Sequence, residues 1–149
     1  MRHFLTSAVV ALVVFAAGPA AVAADFPAPV DGDFVARDFR FGSGETLPAL
    51  NLHYRTIGTP QRDASGVVRN AVMILHGTGG TGAAFLSQTF GGELFGAGQV
   101  LDATRYFIIL PDGVGHGKSS KPSDGLHARF PKYTTTTWCA RSTRCWSTA

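Results

Sequence analysis

Between Ala71 and Gly82 the chain runs Ala-Val-Met-Ile-Leu and then His-Gly-Thr-Gly-Gly-Thr-Gly, and no other stretch constrains its fold as much. Five consecutive apolar residues, with β-branched Val72 and Ile74, predict a strand covered on both faces, as in parallel sheets packed by helices. The glycines then strip the following loop of side chains. A loop at the carboxyl end of such a strand is where open α/β sheets place their ligands, and bare backbone there can aim N–H groups at an anion.

Three readings of that loop stand side by side. Gly77, Gly79 and Gly82 satisfy a G-x-G-x-x-G dinucleotide pattern, which wants a carboxylate at the end of the next strand to hold a ribose; Asp102 has the spacing but precedes that strand. His76-Gly77-Thr78-Gly79-Gly80 also fits an oxyanion-hole loop, in which a main-chain N–H stabilises developing negative charge. A glycine-rich turn without any ligand is the third.

At the start, the charged tip Met1-Arg2-His3, the apolar run Phe4 to Ala17 and Ala21-Val22-Ala23 have the three parts of a secretory signal. The run is short for a membrane span and Gly18-Pro19 ends it, so the expectation is cleavage near Ala23 or Ala24 and export to a periplasmic or extracellular space. The predicted organisation is a signal over residues 1–24, one incomplete domain over 25–133 and a tail over 134–149. The formal charge of +3 misleads, because Arg2 belongs to the signal and Lys132, Arg141 and Arg144 lie near the other end. From Asp25 to Pro131, nine basic and ten acidic residues leave a net charge of about −1, which gives no reason to propose a nucleic-acid or anionic-membrane partner. Cys139 and Cys145 both lie in the tail, where a bridge between them staples nothing to the core.

Along the body, Phe34 to Phe41 predicts a strand, Gly42-Ser43-Gly44 a turn, and the alternation of Leu50, Leu52 and Tyr54 with Asn51, His53 and Arg55 a second strand, together an antiparallel hairpin with His53 on its solvent face. Thr59 to Asn70 is a polar connection. Ala83 to Phe95 predicts a helix from the stripe Leu86, Phe90, Leu94, although Gly91 and Gly92 weaken its middle. Tyr106 to Leu110 predicts a second buried strand, and it too ends in a glycine-rich loop, Pro111 to Ser120. The predicted fold is therefore α/β: an antiparallel hairpin followed by parallel strands joined by a crossover helix.

With these motifs in place, the chain resembles the α/β-hydrolase superfamily, and within it the branch of the homoserine O-acetyltransferases. The resemblance rests on Leu52-His53-Tyr54-Arg55-Thr56-Ile57-Gly58, on Leu75-His76-Gly77, and on Asp112-Gly113-x-Gly115-x-Gly117-x-Ser119, and spans roughly Phe34 to Tyr133. It implies the amino-terminal part of an α/β-hydrolase sheet, and acyl transfer through a serine ester with a histidine base and an orienting acid, acting on a small-molecule ester or acyl donor without metal or cofactor. In chain order nucleophile, acid and base follow one another, and all three are expected downstream of this sequence. What the resemblance assigns here is an oxyanion-hole loop, Gly77, Thr78 and Gly79, with the Thr78 N–H as donor, and loop-shaping roles for His76, Asp112, Gly113, Gly115 and Gly117. The competing function is a small secreted module that uses the glycine loops to bind an anion or nucleotide.

Two other motifs fail on arithmetic. Gly117-Lys118-Ser119 matches the end of a phosphate loop, but the required first glycine falls on Asp112 and Pro122 stands where the helix should begin. Ser119 lacks the second glycine of G-x-S-x-G and is not expected to be a nucleophile. His76 and His116 are expected to be structural or loop-shaping.

After Tyr133 the character of the sequence changes: Thr134 to Thr137 and then Trp138 to Trp146 show no helical stripe and no acid. Loss of one base just after the Tyr133 codon would produce such a tail, since four ACN codons shift to NAC and permit Tyr-Asp-Tyr-Asp-Asp-Met-Val-Arg-Ala-Gln-His-Ala-Leu-Leu. That string has a helical stripe and resembles the helix before the nucleophile strand in the acetyltransferase-like branch. The expectation is a truncated, inactive product.

Overall fold

The computed structural model describes residues 25–134. The predicted signal, both cysteines and all but the first residue of the tail lie outside the described residues. Four strands form one mixed sheet: β1 (Val30–Arg40), β2 (Thr46–Ile57), β3 (Ala71–Met73) and β4 (Phe107–Pro111), in the order β1-β2-β4-β3. β1 and β2 pair antiparallel, β2 and β4 antiparallel, and β3 and β4 parallel. The hairpin followed by a parallel crossover is thus present, and β1 begins four residues before the predicted strand.

Alternation along β2 sends its side chains to two apolar clusters on opposite faces of the sheet. Leu50 and Leu52 pack with Phe41, Leu47, Val114 and Phe130, while Ile57 packs with Ile108, Leu110, Phe95 and Ala103. Five of these, Leu50, Ile57, Phe95, Ile108 and Leu110, are fully buried, each worth roughly 1.5–3 kcal/mol of transfer free energy. Leu47 and Phe39 belong to the first cluster although strict alternation from Leu50 and Ala36 sends them to the other face. Both strands slip by one residue together, so Arg37 still opposes Ala49 and Phe39 opposes Leu47. Asp38, at φ 48°, is where the backbone takes up the slip.

Three expectations need correction. The strand from Ala71 is not covered on both faces: it ends at Met73, its residues are exposed or half-buried, and Leu75 is exposed. Among the described residues β3 is the edge of the sheet, with only β4 beside it, so nothing covers its outer side.

The crossover is not one helix. A 3₁₀ turn over Gly82–Leu86 gives way at Ser87 to extended backbone, and a single α-helical turn, α1 (Gly91–Leu94), follows. Leu86, Phe90 and Leu94 nevertheless all pack on the second cluster, so the stripe reported the buried side and not a continuous helix.

His53 is not on a solvent face; it is 2% exposed. Beyond β4 the chain keeps running along β2, with Asp112 N–H donating to the His53 carbonyl at 2.8 Å and Ser120 N–H to that of Asn51 at 2.9 Å. A polar row is solvent-facing only where the strand has one covered side, and here later loop residues close over the other.

Candidate functional site

The loop that leaves β3 and the loop that leaves β4 meet at the carboxyl ends of these parallel strands, around a cavity of about 250 Å³ lined by His76, Gly77, Thr78, Gly113, His116 and Tyr133 among others. His76 joins the two. Its Nε2 accepts a hydrogen bond from the Gly113 N–H at 2.8 Å, and its Nδ1 lies 2.8 Å from the Gly77 carbonyl. An acceptor nitrogen carries no proton, so the ring is the Nδ1–H tautomer and Nδ1 is the donor to Gly77. With both nitrogens engaged in the backbone, His76 shapes the loop and is not placed to act as a base. The His116 ring lies 5.1 Å from that of His76, tilted by 60°.

Gly80 N–H closes a turn on the Gly77 carbonyl at 3.1 Å, with Gly79 at φ 76°. Among the described residues, the main-chain N–H groups of Gly77, Thr78 and Gly79 make no hydrogen bond. A Cβ added at Gly77 or Gly79 would meet nothing within 4 Å. Bare, unpaired donors beside a cavity can serve a developing anion.

The second loop is organised by Asp112, which is 1% exposed. Its Oδ1 accepts the Gly82 N–H at 2.8 Å and its Oδ2 the Lys118 N–H at 2.9 Å. Gly117, at φ 52°, lies directly against that carboxylate, and Gly115, at φ 87°, against the Tyr133 hydroxyl. Either position given a Cβ would collide. Ser119 is fully buried; its Oγ donates to the Asp112 carbonyl at 2.7 Å and accepts the His53 N–H at 2.9 Å. It is a structural bridge and cannot attack a substrate. Lys118 Nζ is committed to Asp31 at 3.1 Å. Asp102 is equally committed, accepting from Gly98 N–H, Thr104 N–H and the Thr104 hydroxyl, which leaves no free carboxylate for a ribose.

Sequence reasoning missed the polar row that continues the site across the hairpin. Asp33 opposes His53 and Asp31 opposes Arg55 in the β1–β2 register. His53 Nδ1 is 3.1 Å from Asp33 Oδ1, while its buried Nε2 has no hydrogen-bond partner among the described residues and lies 3.6 Å from Asp31 Oδ1. Arg55 bridges Asp31, at 3.0 Å, and Asp112, at 3.5 Å. The Lys118 ammonium bonded to Asp31, together with the Arg55 guanidinium, holds the Asp31 carboxyl below the usual carboxylate range; the Asn51 amide and then His53 do the same for Asp33. The available signal was two acids at 31 and 33 two residues apart, opposite a His and an Arg with the same spacing, once β1 is extended back to Val30.

No family model matches the chain. It is 32% identical over 102 residues to a probable acyltransferase of Methanothermobacter thermautotrophicus, covering 68% of this chain and 30% of that protein. It is also 32% identical over 109 residues to the homoserine O-acetyltransferase of Leifsonia xyli, covering 62% of this chain and 26% of that enzyme. Among solved structures, an acetylester hydrolase from Corynebacterium glutamicum superimposes with a TM-score of 0.64 at 22% identity, over 77% of this chain and 32% of that one. The chain therefore spans about 30% of the length of the relatives it matches.

Proposed function

We propose, for a chain whose sheet is the amino-terminal part of an α/β-hydrolase and whose sequence resembles homoserine O-acetyltransferases, that it is the oxyanion-hole portion of an exported enzyme of acyl transfer or ester hydrolysis. The observation that carries the reading is the row of N–H groups at Gly77, Thr78 and Gly79 that make no hydrogen bond among the described residues, with Gly77 and Thr78 lining the cavity where the β3 and β4 loops meet.

In the complete enzyme a serine Oγ, deprotonated by a histidine, adds to the carbonyl carbon of a small ester or acyl donor. The carbonyl electrons move onto oxygen, and the Thr78 N–H, with the N–H after the nucleophile, receives that oxyanion. Collapse expels the donor's leaving group, which takes its proton from the histidine; water or an acceptor alcohol, deprotonated by the same histidine, then adds to the acyl carbon, and the serine Oγ leaves with that proton.

The same reading treats residues 1–24 as an export signal and the tail after Tyr133 as out-of-frame translation, so that nucleophile, acid and base are missing and the polypeptide of 149 residues is inert. Purified chain is expected to release no p-nitrophenol from p-nitrophenyl acetate above a blank. Resequencing is expected to find a lost base at the Tyr133 codon, or a sequencing error there, with a G-x-S-x-G elbow in the restored frame. Turnover by the 149-residue chain, or a gene that ends in frame at Ala149 with no elbow downstream in any frame, would overturn the proposal.

A further inference from the structure

The loop from His76 to Gly82 is pinned at both ends to two consecutive residues of the β4 loop: His76 takes the Gly113 N–H, and Gly82 gives its N–H to Asp112. Among the described residues the N–H groups of Gly77, Thr78 and Gly79 between the pins make no hydrogen bond, while that of Gly80 is turned onto the Gly77 carbonyl. One pin is a buried carboxylate, and a carboxylate out of water needs both hydrogen bonds and a counter-charge. Gly82 N–H and Lys118 N–H supply the hydrogen bonds.

Among the described residues only Arg55 pairs with Asp112 as a cation, since the Lys118 ammonium faces Asp31. Arg55 is itself fixed: its side chain is 11% exposed and its Nε sits 3.0 Å from Asp31 Oδ1. A planar guanidinium held from one side by Asp31 presents its other edge to Asp112 in a set orientation.

We propose that Arg55 is a positioning residue for the 76–82 loop, acting through Asp112, so that the first hairpin sets the geometry of the oxyanion donors. The inference rests on reading that loop as the oxyanion loop. It makes the ionic strap Asp31–Arg55–Asp112 a link between β1 and the 76–82 loop.

Amide hydrogen exchange of the 149-residue chain, resolved by segment, tests it with Arg55→Gln, Arg55→Lys and Asp31→Asn. Arg55→Gln is expected to speed exchange of the Gly82 and Lys118 amides by about tenfold, while the β1–β2 pairs around Phe34 and Leu52 change by less than about twofold. Arg55→Lys, which keeps the charge but not the fork, is expected to recover part of the protection. If Arg55→Gln unfolds the whole chain, Asp31→Asn decides, since it releases only one end of the strap: a rise confined to the two loops supports the strap, and no rise overturns it. Equal changes across all strands, or uniformly fast exchange in the unsubstituted chain, overturn it as well. Exchange reports the strap whether or not the loop ever meets an ester. An intact strap in an enzyme indifferent to loss of the Thr78 N–H would therefore sink the oxyanion reading alone.

Discussion

After β3, three successive main-chain N–H groups lie unpaired among the described residues and a Cβ at Gly77 or Gly79 would stand in open space; after β4, the backbone is stitched to Asp112, Ser119 and Ser120, and Gly115 and Gly117 have side chains pressed against them. Two loops of similar composition thus use glycine for opposite purposes. In the first it leaves the backbone bare, with open space where a Cβ would stand; in the second it makes room for the chain's own side chains. A glycine-rich loop after an apolar strand is therefore two different signals, and only the neighbours of each glycine separate them.

Substitutions at the glycines should split the loops in stability. Gly117→Ala combines a left-handed backbone with a collision against the Asp112 carboxylate, and is expected to cost about 3 kcal/mol in urea denaturation. Ser119→Ala strands the buried His53 N–H and Asp112 carbonyl, for an expected loss of about 2 kcal/mol. Gly79→Ala meets only the conformational penalty at φ 76°, about 1 kcal/mol, and Gly77→Ala should stay within about 0.5 kcal/mol. Equal costs at Gly77 and Gly117 would erase the distinction.

Acid should produce the smallest effect and sharpen the comparison from the other side. The Asp31 carboxyl is held below its ordinary value of 3.8, first by Lys118 and then by Arg55. Its contribution is accordingly present above that value and lost as the pH falls through the lower folded one. Exchange of the 112–120 amides is expected to rise below about pH 4 before that of the β1–β2 ladder. Simultaneous loss in both segments would mean that the Asp31 contacts do not hold the β4 loop.

Much of the fold was legible because its signals are local. The apolar runs at Ala71 and Tyr106 gave strands β3 and β4, and the alternation from Leu50 to Arg55 gave β2. His76, Asp112 and Gly113 make hydrogen bonds between the two loops, and Gly115 and Gly117 lie in close approach to side chains. What escaped depends on residues far apart in sequence. His53 is buried by loop residues some sixty positions later, which no alternation pattern can report. Arg55 gains its meaning from Asp31 across the hairpin and Asp112 beyond β4. The broken crossover escaped for another reason: the stripe Leu86, Phe90, Leu94 measures which side is buried, and Ser87 can turn the backbone extended without moving any of the three off that side.

The most direct test of the account compares Thr78→Pro with Thr78→Ala in the full-length enzyme that the proposed function expects, following the acylation burst with p-nitrophenyl acetate. Proline removes the main-chain donor and alanine keeps it. Thr78→Pro should lower the acylation rate by a factor on the order of 100 to 1000 while Thr78→Ala stays within about threefold. Small and equal effects of the two substitutions would contradict the assignment of the Thr78 N–H to the oxyanion.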